Sequence, residues 1–75
     1  MRQYTIFLHP ELEDGGYSVE VPALPGCRTQ GESLEEAIAH AKEAISAWIA
    51  SAEAHGEPIP VETTRPQAIV VDIAA

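Results

Sequence analysis

Three histidines, one cysteine and twelve carboxylates are the groups in this 75-residue chain with the chemistry to catalyse or to hold a metal. His9, His40 and His55 suit acid–base or metal chemistry by type. Each falls on a different element, and only His40 has carboxylates at helical spacing, Glu36 and Glu43. Those i, i+4 and i, i+3 relations read as surface pairs worth about 0.2–0.5 kcal/mol, in preference to a metal site. No CxxC or HxxxH pair supplies zinc-ligand spacing. A two-magnesium nuclease needs several carboxylates converging from strand ends. The strand carboxylates here are Glu20 and Asp72 alone, so no catalytic residue, metal or cofactor is assigned and the chain is not expected to be an enzyme. Cys27 follows a glycine on a short strand, with Arg28 pointing to the opposite face. Burial as a small apolar side chain is preferred to thiolate reactivity.

The elements that must position these groups can be read from periodicity. Tyr4, Ile6 and Leu8 alternate with Thr5, Phe7 and His9 to give a first strand over about residues 3–9, closed by Pro10. Glu11–Gly16 combines acids with an Asp-Gly turn signal, which predicts an antiparallel hairpin with a solvated loop rather than a cation-binding one. Tyr17, Val19 and Val21 alternate with Ser18 and Glu20 in a second strand, about 16–22. Pro22-Ala-Leu-Pro-Gly26 then forces a turn, because Pro22 and Pro25 fix φ and Gly26 accepts a positive one. A third, weakly apolar strand spans about 27–31 and ends at Gly31.

Ser33-Leu-Glu-Glu36 has the spacing of a capping box, with the Glu36 side chain reaching back to the amide of Ser33. A helix over about 34–55 follows, roughly six turns long. Leu34, Ile38, Ala41, Ile45, Trp48 and Ala52 form its apolar stripe, widened by Ala37 and Ile49, and Gly56 with Pro58 ends it. Trp48 on that stripe reads as core before interface anchor. The expected core is therefore Tyr17, Val19, Val21, Cys27, Leu34, Ile38, Ile45 and Trp48. Pro58, Pro60 and Pro66 keep the exit extended, and Ile69, Val71 and Ile73 with Val70 and Asp72 predict a last strand over about 67–73. The order strand, strand, strand, helix, strand gives a single α+β domain over residues 1–75, an antiparallel sheet with one long helix on one face.

Composition bounds the function. A chain of this length buries only about 60–65% of its unfolded surface, which favours an oligomer or a partner. One cysteine excludes disulfide stapling, and no leader or membrane span is recognisable, so a cytoplasmic, membrane-free setting is expected. The net charge of −8, with Arg2, Arg28, Lys42 and Arg65 dispersed along the chain, favours a basic protein partner over nucleic acid.

The run from Tyr17 to Pro22, Leu24-Pro-Gly-Cys-Arg-Thr-Gln-Gly31, Glu32-Ser-Leu-Glu-Glu-Ala-Ile38, the Ala41-Lys-Glu-Ala44 run and Gly56-Glu-Pro-Ile-Pro60 together resemble the N-terminal domain of HicB-type antitoxins and their stand-alone relatives. The resemblance covers roughly three-quarters of the chain. It implies a shortened ribonuclease-H-like βββαβ fold without nuclease activity, and binding to a small basic toxin that cleaves messenger RNA. Typical members continue into a DNA-binding domain; with the chain ending at Ala75, none is expected, nor direct DNA binding. The family also often carries an acidic residue where Ala23 stands.

Glu20, Glu32, Glu35 and Glu36 are the residues expected to face such a partner, although the acids at the helix start are also explained by the helix dipole. An orphan homo-oligomer with a scaffold or ligand-binding role and no toxin is the alternative. In either case Ile69, Val70, Val71 and Ile73 are expected to pair between subunits into a dimer or tetramer.

Overall fold

The computed structural model describes residues 2–74. Three strands, β1 (Phe7–Pro10), β2 (Tyr17–Glu20) and β3 (Arg28–Gly31), form an antiparallel sheet in the order β1-β2-β3, followed by one helix, α1 (Leu34–Ala54). The helix packs mainly on β3 and β2, which gives the α+β arrangement the periodicities call for.

The strands are shorter than the alternation predicts, and proline and turn hydrogen bonds account for it. Phe7 lies opposite Glu20 and Pro10 opposite Tyr17. Beyond Glu20 the next N–H that would face β1 belongs to residue 22, a proline with none to offer, whereas the Val21 amide faces β3 and carries that pairing one rung further, to the Cys27 carbonyl at 3.0 Å. Residues 3–6 therefore run on without a ladder partner. The turn is closed from inside, with the Leu24 amide donating to the Val21 carbonyl and the Cys27 amide to the Leu24 carbonyl. Gly26, at φ 78°, supplies the reversal. This places Leu24 at 0% exposure, the deepest large side chain among the described residues, although its position between two prolines reads in sequence as a surface turn.

Ser33 stands as N-cap with its hydroxyl accepting from the Glu36 amide at 3.1 Å. The Glu36 carboxylate reaches the amide of Glu32, at 3.0 Å, one residue before the amide that the capping box names. At the other end Gly56 adopts φ 65°, its amide donating to Glu53 and that of Glu57 to Ala52. This pair of bonds satisfies the Ala52 and Glu53 carbonyls and stops α1 at Ala54, with His55 as C-cap.

Two linked clusters make the core. Val19, Ala37 and Ala41 are buried with Ile6, Leu8 and Tyr17 around them; Val21, Leu24 and Cys27 are buried with Tyr4, Ile6, Ala44, Ile45 and Trp48 around them. The expectation that Leu34 and Ile38 lie in the core is corrected: they are 50% and 37% exposed. The reason is steric. A Cβ on Gly31 would fall 2.4 Å from the Ala37 nitrogen, so helix backbone lies directly on β3 at that point. Only small residues fit the seam, and Ala37 and Ala41 take it while Leu34 and Ile38 are turned to its rim.

A second correction concerns residues 67–73, which form no strand in the structure. Ile69, Val70, Val71 and Ile73 are 73, 97, 66 and 77% exposed. The return segment is held by side chains instead of a ladder: Glu62 accepts from the Thr5 amide (2.8 Å), the Thr5 hydroxyl (2.7 Å) and Arg65 Nη1 (2.6 Å), and the Tyr4 hydroxyl donates to the Pro60 carbonyl. Pro60 and Pro66 lack the donors that a ladder needs.

Two outcomes follow from this packing. Gly31→Ala must push the helix off β3 and is expected to cost about 3 kcal/mol. Gly26→Ala, which meets nothing within 4 Å, strains only its own backbone, at about 1–2 kcal/mol. Urea titrations of the two variants should separate them in that order. The Thr5 amide, the Thr5 hydroxyl and Arg65 hold the Glu62 carboxyl below its usual range. A depressed carboxyl stabilises the fold above its unfolded pKa, about 4.3, and that contribution disappears as the pH falls through the lower folded value. Acid unfolding followed by Trp48 fluorescence should thus be shallower in Glu62→Gln than in the parent.

Candidate functional site

The hairpin loop, the end of β3 and the first two turns of α1 meet at one end of the sheet. Their meeting leaves a cleft of about 560 Å³. Its acidic lining comes from Glu11 and Asp14 on the loop and Glu32 and Glu36 at the helix start, and no lysine or arginine lines it. Local sequence dictates this geometry. Glu11–Gly16 closes on itself through the Glu11 amide to the Gly16 carbonyl and the Gly15 amide to the Glu11 carbonyl, both 2.9 Å. Gly15 and Gly16 take φ 75° and 77°, which steers the loop back toward Gly31. The helix cap then fixes Glu32 and Glu36 across from it.

His40 completes the wall, on the turn of α1 after Glu36. Its Nδ1 lies 2.6 Å from the Gln30 carbonyl, which can only accept, so Nδ1 carries the proton and Nε2 is left for solvent or a ligand. The pairing of His40 with Glu36 and Glu43 expected from helical spacing is replaced by this bond between helix and sheet. His55 makes the same kind of bond within its own helix, from Nδ1 to the Ser51 carbonyl. His9 lies 3.1 Å from Glu20 on the neighbouring strand, a solvent-exposed pair. The three histidines thus occupy separate places. Among the described residues no group of three or more His, Cys, Asp or Glu side chains converges to hold a metal ion. Cys27 is buried, which pushes its thiol above the usual value and away from thiolate chemistry.

Of the four acids named from sequence, the structure brings Glu32 and Glu36 together in the cleft. Glu20 stands apart on β2 with His9, and Glu35 is exposed outside the lining. Glu11 and Asp14, which the sequence alone places in a solvated turn, join Glu32 and Glu36 in the cleft. The signal that could have placed them is the Gly15-Gly16 pair, which lets the loop fold onto the β3 end. The cleft offers carboxylates spread over its walls rather than focused on a point, an arrangement that suits guanidinium or ammonium side chains of a basic surface better than a single ion.

No helix among the described residues is long and apolar enough to cross a membrane. Residues 4–72 match the family model described as the HicB-like antitoxin of bacterial toxin–antitoxin systems. A UPF0150 protein of Thermoplasma acidophilum is 52% identical over 58 residues, covering 77% of this chain and 83% of that protein. A UPF0150 protein of Synechocystis is 44% identical over 70 residues, 91% of this chain and 87% of the relative. An uncharacterised 14.9 kDa protein of Haemophilus phage HP1 is 44% identical over 50 residues, 67% of this chain but only 38% of that longer protein. The match runs from Tyr4 to Asp72 and so takes in the hairpin, the Leu24 turn, the helix and most of the exposed tail: this chain belongs to the HicB-like antitoxin family.

Proposed function

We propose that this protein is the inhibitory half of a toxin–antitoxin pair, a stoichiometric binder that neutralises a small basic messenger-RNA-cleaving toxin of the HicA type and catalyses nothing itself. The observation that carries the reading is the cleft, in which four carboxylates and no lysine or arginine face outward from a chain of this family. The net charge of −8 supports it by steering a cationic partner toward the molecule over distances of about a Debye length. Glu32 and Glu36, with Glu11 and Asp14, are the proposed first contacts; Glu20 and Glu35 extend the acidic surface around them. The toxin neutralised in this way would have its RNA-binding cations covered by protein carboxylates.

The exposed tail favours a second feature, self-association. Ile69, Val70, Val71 and Ile73 leave the body as an extended β-branched arm, and the radius of gyration, 14.5 Å, exceeds the roughly 11 Å of a compact chain of this length. We infer that the arm pairs with a second copy of this chain, giving a dimer or tetramer, because apolar β-branched residues so exposed call for a strand partner. An oligomer without a toxin, serving as a scaffold or ligand binder, would keep this arm and lack the cleft's partner.

Co-expression with the product of a small adjacent basic reading frame tests the first reading. The two should co-purify, and Glu11→Lys with Glu32→Lys should weaken the complex about tenfold or more at low salt while circular dichroism shows the variant still folded. An absent neighbour, or no binding at low ionic strength, removes the antitoxin reading. For the arm, deletion of residues 67–75 is expected to lower the mass seen by sedimentation equilibrium to that of a monomer. An unchanged mass would exclude pairing through this segment.

A further inference from the structure

Arg2, Arg28, Lys42 and Arg65 look dispersed along the sequence, yet the fold gathers three of the four. Arg2, Lys42 and Arg65 line one open cavity of about 610 Å³ together with Tyr4, Ile45 and Ser46. No carboxylate lines it, in a chain that carries twelve. Lys42, Ile45 and Ser46 share a helix face through their i, i+3 and i+4 spacing. Arg65 is brought to them by the return segment. Its Nη1 donates to Glu62, whose side chain is 4% exposed, and its Nη2 donates to the Gln3 side-chain oxygen. Held on both sides, the Arg65 side chain remains 54% exposed, and its guanidinium keeps further N–H donors beyond the two so used.

Like charges drawn together repel one another, and Glu62 offsets one of the three. Arg2 and Lys42 form no ion pair with any described carboxylate. The Tyr4 hydroxyl is already spent on the Pro60 carbonyl, so that residue offers the cavity a ring face beside the apolar wall of Ile45. The Ser46 hydroxyl adds a neutral donor.

We propose that this cavity is an anion site that takes a phosphate group, with Arg65 as the preorganised fork, Lys42 and Arg2 as the mobile charges and the Tyr4 ring against whatever carries the phosphate. The fixed guanidinium matches the paired oxygens of a phosphate, and the surplus positive charge matches its one to two negative charges better than a lone carboxylate. The site is separate from the acidic cleft and does not depend on the antitoxin reading. A small phosphate ester and the backbone of a single-stranded RNA present the same group, and the test distinguishes them.

Amide chemical shifts of the full chain, labelled with nitrogen-15 in low-salt chloride buffer, are followed during titration with inorganic phosphate, adenosine monophosphate and a short single-stranded RNA. Saturable shifts confined to residues 2–4, 42–46 and 65 are expected, and Lys42→Gln and Arg2→Gln should each weaken the apparent affinity about tenfold without moving the melting temperature. Saturation by phosphate or the mononucleotide assigns the site to small esters, whereas saturation by RNA alone at these same amides assigns it to a strand. The proposal is overturned if none of the probes saturates these amides, if acetate at equal ionic strength shifts them as strongly, or if the folded Lys42→Gln protein binds as the parent does.

Discussion

Everything in this small structure depends on how closely the helix approaches the sheet at Gly31. With a Cβ excluded there by the Ala37 backbone, the first turns of α1 lie directly on β3. The contact needs a glycine below and alanines above, and Ala37 and Ala41, at 0 and 2% exposure, show how tightly the seam closes. Larger apolar side chains are admitted only where the surfaces diverge, toward Ile45 and Trp48, and there Leu24 enters from the turn to fill the wedge. A core this thin gains little from the area under any one side chain. It gains from close dispersion contact over the whole seam, which explains how a short chain holds a 21-residue helix in one place.

The same contact sets the positions of the polar groups. Because the helix begins directly on the end of β3, its cap at Ser33 and Glu36 stands beside the hairpin loop, and His40 comes within reach of the Gln30 carbonyl. The acids that collect there stabilise the helix N-terminus through its dipole and also form an outward-facing negative wall. One set of residues thus caps the helix and gives the cleft its charge. Its charges stay hydrated, so presenting them to a partner carries little desolvation cost in the free protein.

Periodicity made the three strands and the helix legible, because alternation and the 3.6-residue repeat are local properties that the Pro-Gly turn and the caps reinforce. The helix face was harder. Leu34 and Ile38 satisfy the apolar stripe as well as Ala37 and Ala41 do, and only the missing Cβ of Gly31 decides between them. Leu24 was hidden for a related reason: prolines on either side mark a turn but do not say whether its middle folds inward. The cleft was half legible, through the capping acids, while the loop acids depended on a tertiary contact between Gly16 and Gly31. The cations are gathered only in three dimensions, their sequence separations concealing that residues 2, 42 and 65 end at one cavity. The β-branched content of residues 67–73 states a preference for a pleated, half-buried surface without supplying one.

That missing surface explains why the tail and the body behave as different kinds of structure. Up to Arg65 the return segment is tied down by groups that are spent within the chain, the Glu62 carboxylate on Thr5 and Arg65 and the Tyr4 hydroxyl on Pro60. After Pro66 the backbone donors and acceptors and the apolar side chains have no such partners among the described residues, and Val70 is 97% exposed. A segment of this composition hydrated along its whole length forgoes the burial that a domain of this size can least spare. The Glu62 clip fixes where the arm leaves the body, beside residues 3–5. The clip and the arm therefore differ in kind: the first adds to the stability of the chain through bonds made within it, and the second leaves its β-branched side chains in water.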